Sequence, residues 1–206
     1  MPAFVFDKIL SQGVRGGQLP GRTQRARTWF RDAAQKASTS PYEIMKQDPD
    51  EGKSRYSGAA NVGGLYMFFY DPKHKKTLPY YDTFPLVLPL ETYNDGFLGI
   101  NMHYLPIPLR VKLLDRLVDY TNSEDFTSET TRMMVDYKRL KSIRLIRPTI
   151  HKYLSGYTKS QFRRIDADEW TIATLLPVQR FKKASDAEVW SCLLYTSPSP
   201  RDLSTS

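Results

Sequence analysis

The stretch GLYMFFYDPKHKKTLPYYDTFPLVLPLETYNDGFLGINMHY, residues 64–104, decides the fold. Within it Gly64–Tyr70, Phe84–Leu90 and Gly96–Tyr104 are aromatic or aliphatic runs, separated by Asp71-Pro72, Leu78-Pro79 and Asn94-Asp95-Gly96. Runs of this kind bounded by turn residues read as strands. Asn94-Asp95-Gly96 reads as the tight turn of a hairpin joining the last two. Pro85 and Pro89 have no N–H to donate to a ladder, so their strand must be an edge strand, bulged or interrupted. Short strands joined by turns predict a small twisted antiparallel sheet or a barrel-like core rather than an open α/β sheet.

Outward from this stretch the period changes. After Pro106 and Pro108, Leu109, Leu113, Leu117 and Tyr120 share one face while Arg110, Lys112, Asp115, Arg116 and Asp119 lie elsewhere, the pattern of an amphipathic helix. Residues 121–129 are a polar connection, and a longer helix is expected from Ser128 to Ile146, continuing towards Leu154 with a kink or restart at Pro148. Phe162–Ile165 reads as a strand, Trp170–Leu176 as strand or helix, and Phe181–Trp190 as a final helix capped by Ser185. On the N-terminal side, residues 37–62 are turn-rich and read as a linker. In GVRGGQLPGRTQRARTWFRDAAQK, residues 13–36, the Gly/Pro half reads as loop and the second half as a short helix carrying Trp29 and Phe30. The expected fold class is therefore α+β: a small sheet packed with amphipathic helices and preceded by a basic N-terminal arm. The expected organisation is arm, helix and linker over 1–62 and a core domain over 63–191.

From Cys192 the composition shifts to Ser, Thr and Pro, and CLLYTSPSPRD looks like the translation of a transposase sequencing adapter. Residues 192–206 are accordingly expected to be non-native, with natural sequence stopping near Ser191. Cys192, the one cysteine of the chain, then carries no function, and a disulfide framework is excluded. A reducing compartment is the default for such a composition. The opening MPAFVFDKILSQG lacks the basic start and unbroken apolar run of a secretory signal.

Charge supplies the strongest functional signal. The 206 residues carry 30 Lys+Arg against 22 Asp+Glu, a net charge of +8, and the isoelectric point is about 9.5. A balance of this sign points to a polyanionic partner. With 40% hydrophobic residues, 25% charged residues and a mean hydropathy of −0.50, the composition is that of a folded, polar protein. No apolar run approaches the roughly 20 residues of a spanning helix. Residues 138–164 hold nine Lys/Arg and no acid. On a helix, Lys138, Lys141, Arg144 and Lys152 share one side and Leu140, Ile143, Ile146, Ile150 and Leu154 the other, with Arg163 and Arg164 flanking. A merely solvated face would gain from interspersed Glu at i,i+4 spacing, so an acid-free run favours phosphate binding. Arg15, Arg22, Arg25, Arg27 and Arg31 repeat the theme near the N-terminus, where the alternative is a plain basic tail. Aromatic residues accompany both the arm and the Lys73-Lys75-Lys76 loop, and Trp29 is the candidate for stacking on a DNA terminus. The alternative for each aromatic is a place in the core.

Catalytic signals are poor. Pro49-Asp50-Glu51-Gly52-Lys53 superficially matches a nuclease string, but its acids are contiguous rather than on separate strands. Asp166, Asp168 and Glu169 could hold a cation or cap a turn. His74, His103 and His151 lack ligand spacing. Nucleophile-elbow, Walker and dinucleotide fingerprints are absent, and no cofactor is expected.

YMFFYDPKHKKTLPYYDTFPLVLPLE and DGFLGINMHYLP, supported by RTQRARTWFRDAA and DEWTIATLLPVQRFKKASDAEVW, resemble structural proteins of T-even-like contractile-tailed bacteriophages of the DNA end protector group. The resemblance covers most of residues 1–190. It implies a late virion protein that binds and caps the ends of packaged linear double-stranded DNA without turnover. Such a protein would shield the ends from host exonuclease, aid head completion, meet head or neck proteins, and act in the virion and the host cytoplasm. Two other readings remain: a neck or baseplate component without DNA contact, and a metal-dependent nuclease using Asp50, Glu51 and Lys53 or the Asp166–Glu169 cluster.

Overall fold

A computed structural model describes residues 4–19, 23–46, 55–121, 143 and 146–195 of the chain. Eight strands, β1 (Tyr56–Ser57), β2 (Leu65–Met67), β3 (Tyr81–Asp82), β4 (Leu86–Tyr93), β5 (Gly96–Asn101), β6 (Ile150–Leu154), β7 (Phe162–Ile165) and β8 (Phe181–Lys182), form two antiparallel sheets. Six of them make an open sheet in the order β1-β7-β2-β4-β5-β6, and β3 pairs with β8 alone. The helices are α1 (Val5–Arg15), α2 (Gln24–Lys36), α3 (Pro41–Lys46), α4 (Ile107–Thr121), α5 (Trp170–Leu175) and α6 (Asp186–Tyr195). The mixed α+β class expected from sequence holds, with an open sheet rather than a closed barrel.

Alternation along the strands explains the two faces of the sheet. Leu65, Met67, Leu86, Leu88, Ile100 and Ile165 point to one side and pack with Phe6, Phe30, Ile44 and Trp170 of the helices. Tyr66, Phe68, Val87, Phe97, Tyr153 and Phe162 point to the other and form a second, aromatic cluster. A period of two places successive residues on opposite faces, so the apolar run of β2 is buried on both sides. Phe68 sits at the centre of the aromatic cluster, with Phe97, Tyr153 and Phe162 rings 6.0, 5.4 and 4.8 Å away in edge-to-face geometry.

β4 is central in the order, and its prolines are accommodated as the bulged alternative requires. β2 pairs only with Leu86 and Val87, so Pro89 lies past its end, and the β4–β5 register shifts between Pro89 and Glu91. The hairpin turn falls where expected, at Asn94-Asp95, with Tyr93 opposite Gly96. Gly96 is fixed by a close approach: at φ 154° a Cβ would lie 2.9 Å from the carbonyl carbon of Tyr153 on β6.

Several local expectations are corrected. Residues 13–15, expected as loop, are the last turn of α1, because Gly13 serves packing instead of breaking the helix, while 16–19 are turn and irregular as expected. A Cβ there would come 2.7 Å from Phe30 Cε1 and 2.9 Å from Trp29 Cζ3, so the missing side chain lets α1 lie against α2. α1 stops where Gly16 and Gly17 follow, the latter at φ 72°. The expected linker contains α3, whose start is capped reciprocally by Ser40 and Glu43 and whose Ile44 is fully buried. Phe6, Ile9, Phe30, Ala34 and Ile44 pack in the same core as the sheet, so this core spans the division expected at residue 63.

Residues 150–154, expected as the end of a long helix, are the edge strand β6, preceded by a short 3-10 turn at Arg147–Thr149 with Pro148 inside it. Proline stops the helix, and the sequence that follows pairs residue for residue with β5. The remainder of that expected helix, apart from Ile143 and Ile146, lies outside the described residues. Trp170–Leu175 resolves as helix. The last helix starts at Asp186 with Ser185 and Glu188 bonded reciprocally at its start, after a short strand at Phe181–Lys182.

Candidate nucleic-acid interface

Alternation in β7 decides the fate of the paired arginines. Arg163 shares parity with Ile165 and points under the helices: it is 2% exposed, donates to the Ile44 carbonyl, and lies 5.4 Å from the Phe6 ring centroid. A phosphate cannot reach it. Arg164, one residue on, is exposed on the other face.

The N-terminal arginines divide similarly. Arg15 ends α1 and Arg25 begins α2, both exposed. Arg27 and Arg31, one turn apart on α2, converge on Asp115 of α4; the Arg27 Nη1 to Asp115 Oδ1 distance is 3.4 Å. Their positions are held by that shared carboxylate, which cancels part of their field. Trp29 is half-buried, edge-on to Phe30 with centroids 4.9 Å apart, and its ring borders Gly13. It packs against the core, which favours its alternative place there over base stacking. Lys152 is exposed on β6, bonded to Asp95 at 2.8 Å and seated 5.1 Å from the centroid of Tyr93. Arg22, Lys138, Lys141 and Arg144 lie outside the described residues, as does the string at 49–53.

The acidic cluster is structural. Asp166 and Glu169 form a capping box around a 3-10 turn, and Arg55 bonds Glu169 at 2.5 Å and Asp166 at 3.4 Å. Burial raises the Glu169 carboxyl above its usual range, with Arg55 opposing. Among the described residues no group of three His, Cys, Asp or Glu is placed to hold a metal ion.

Pairing of β3 with β8 creates a cation-rich surface that sequence reasoning did not assemble. Tyr81 lies opposite Lys182 and Asp82 opposite Phe181, so the DPKHKK loop meets the RFKK segment about a hundred residues later. Lys183 donates to the carbonyls of Lys76 and Leu78 at 3.0 and 2.8 Å, stitching the two together. Lys73, Lys76, Arg180 and Lys182 are exposed around this junction, and Lys75 is tied to Asp71 at 2.8 Å.

Beneath it, Asp82 is the organising group. Its Oδ1 accepts from the N–H groups of Phe84 and Arg180 at 3.0 and 3.2 Å, and its Oδ2 from Asn101 Nδ2 at 3.1 Å and His103 Nδ1 at 2.8 Å. Burial alone would raise this carboxyl, but His103 and the surrounding hydrogen bonds hold it below its usual range. Burial likewise keeps His103 neutral, outweighing Asp82. The pair is thus a carboxylate accepting from a neutral imidazole. Next to it Arg110, 1% exposed, donates to the carbonyls of Leu105 and His103 at 2.7 and 2.8 Å and lies 5.3 Å from the Trp190 centroid; burial brings it down to about 10, still protonated at neutral pH.

A cavity of about 360 Å³ opens between this junction and β6, lined by Tyr70, Tyr80, Tyr104, His151 and Tyr153, with Lys73 and Lys152 also contributing. A second groove of about 570 Å³ between α1 and the α2–α3 segment has Lys8, Lys36 and Lys46 but also Glu43, and among its lining residues Phe4 is the only aromatic one.

Fold and surface define the class: a basic α+β protein that presents cations beside an aromatic-lined cavity. The family model of the phage T4 terminal DNA protecting protein matches residues 6–193, and the chain belongs to that family. It is a bacteriophage structural protein with a DNA-protecting role, as the resemblance in residues 64–104 and their flanks implied. No curated protein and no solved structure matches the chain. No helix among the described residues is long and apolar enough to cross a membrane.

Proposed function

We propose that the chain binds and caps the ends of packaged linear double-stranded DNA, without turnover, shielding them from host exonuclease and helping to complete the head. It would act in the virion and, after injection, in the host cytoplasm, with head or neck proteins as further partners. The family match over residues 6–193 carries this reading. The charge of +8 and the exposed cations Arg15, Arg25, Lys152 and Arg164 support it, because phosphate neutralisation fixes a protein on DNA without reading sequence. Arg22, Lys138, Lys141 and Arg144 belong to the proposed set on sequence grounds. Arg27 and Arg31 enter it only as neighbours of Asp115, and Arg163 and Trp29 leave it. Competition between linear duplex and a covalently closed circle of the same sequence tests the reading. Preference for the linear form, with affinity falling steeply as salt rises, is expected. Equal affinity for the two forms contradicts it.

A further inference from the structure

We propose that the tyrosine-lined cavity between the 71–83 segment and β6 holds one unpaired terminal nucleotide, its base against the row of rings and its phosphate at Lys73. This deepens the end-binding reading and rests on it.

The wall of the cavity is a continuous row of rings. Tyr80 and Tyr104 have centroids 5.9 Å apart, Tyr104 and His151 4.4 Å, His151 and Tyr153 6.4 Å, and Tyr153 and Tyr70 5.0 Å. Successive aromatic faces suit a base of any identity, since every base has a π-face. The volume of about 360 Å³ is at the low end of the roughly 300–1,000 Å³ typical of small-ligand sites. That admits a single nucleotide and excludes a paired duplex end. Fraying at a terminus supplies such a nucleotide, whereas an internal position does not, so the cavity discriminates ends by access.

Polar groups fit the same occupant. The cavity wall includes His151, whose Nε2 is shielded from solvent and has no hydrogen-bond partner among the described residues. His151 therefore contributes its ring to the wall rather than an exposed polar atom. Burial keeps Tyr70, Tyr104 and Tyr153 as neutral phenols, and His151 is pushed down to about 4 and is uncharged. The one carboxylate in the lining, Asp82, already accepts four hydrogen bonds from the protein. It repels a phosphate from the floor, and with Lys152, the other lysine of the lining, tied to Asp95 at 2.8 Å, the exposed amine of Lys73 is the anion site.

The test pairs a protein change with a DNA change. The full chain and its Tyr80→Ala and Lys73→Ala variants, both at residues that are not buried, are titrated with linear duplexes whose terminal nucleotide is either normal or abasic. A closed circle serves as reference. In the wild type the abasic end is expected to bind about tenfold more weakly, within the range for loss of one stacked base. Tyr80→Ala is expected to bind both ends alike at the weaker level, and Lys73→Ala to lose affinity for ends but not for the circle. Equal wild-type affinity for normal and abasic ends, with linear still preferred over circular, overturns the cavity assignment alone. Weakening of ends and circle alike in both variants does the same. Failure of the wild type to prefer linear DNA overturns the end-binding reading and this assignment together.

Discussion

Removing the Asp82 carboxylate is expected to destabilise the fold strongly, because this buried group ties the sheet to the segment that carries β8. Asp82 is 4% exposed and collects four donors from three segments: Phe84 N–H of its own stretch, Arg180 N–H, and Asn101 with His103 at the end of β5. Asp82→Ala leaves all four facing a void. His103 is neutral, so the cost is that of stranded donors: each buried donor left unsatisfied costs about 1–3 kcal/mol, and four of them sharing one void place the loss at about 3–5 kcal/mol. For a chain of this size each kcal/mol moves Tm by about 2–4 °C, so a fall of about 6–20 °C is expected. Asp82→Asn is the control. Its amide oxygen still accepts from Phe84 and Arg180, and His103 can offer the other tautomer, so a smaller loss of about 1–3 kcal/mol follows. Urea unfolding followed by circular dichroism and calorimetry measures both. The Arg180 N–H bond also anchors the β8 segment, so Asp82→Ala is expected to weaken DNA binding although Asp82 touches no phosphate. A loss below about 1 kcal/mol in Asp82→Ala, or one equal to that of Asp82→Asn, refutes the reasoning.

Further expectations concern packing, pH and charge. Gly13→Ala gains about 1 kcal/mol of helix propensity but drives a methyl into Phe30, an overpacking cost of about 1–3 kcal/mol; a net loss with altered Trp29 fluorescence is expected. His151, pushed down to about 4 by burial, takes up protons in the unfolded chain near pH 6.5 before it does so when folded. Its contribution is therefore complete above about pH 6.5 and is lost as pH falls towards 4, by about 1–3 kcal/mol. His151→Phe should flatten stability measured across that window. Arg163→Ala is expected to destabilise by about 2–4 kcal/mol without changing the salt dependence of DNA binding. Arg164→Ala is expected to leave stability within about 0.5 kcal/mol and lower the slope of log affinity against log salt by about 1.

Much of the sheet was legible because its strands are long enough to show apolar runs and its hairpin carries a turn signature. The same physics misled where punctuation had another use. Gly13 reads as a breaker, yet it is a contact surface for Phe30, and only the tertiary partner reveals that. Pro148 reads as a kink or restart of one helix, whereas a proline equally marks a switch to strand, and Ile150-His151-Lys152-Tyr153-Leu154 alternates as a strand should. At the interface, the burial of Arg163 was readable from its parity with Ile165 once 162–165 was taken as a strand. Meeting of the DPKHKK and RFKK segments was not readable, because β3 and β8 are two residues each and too short for any period. Charge runs were visible one at a time; what was missing was the long-range pairing that adds them.

The most direct measurement is digestion of linear duplex by a processive, end-dependent exonuclease with increasing amounts of the intact protein, alongside an endonuclease on the same DNA. Full-length linear DNA is expected to survive the exonuclease at protein concentrations that leave internal cleavage unaffected, and raising salt is expected to abolish this protection. Equal slowing of both nucleases, or degradation from the ends at the uninhibited rate with the protein bound, contradicts the end-capping reading.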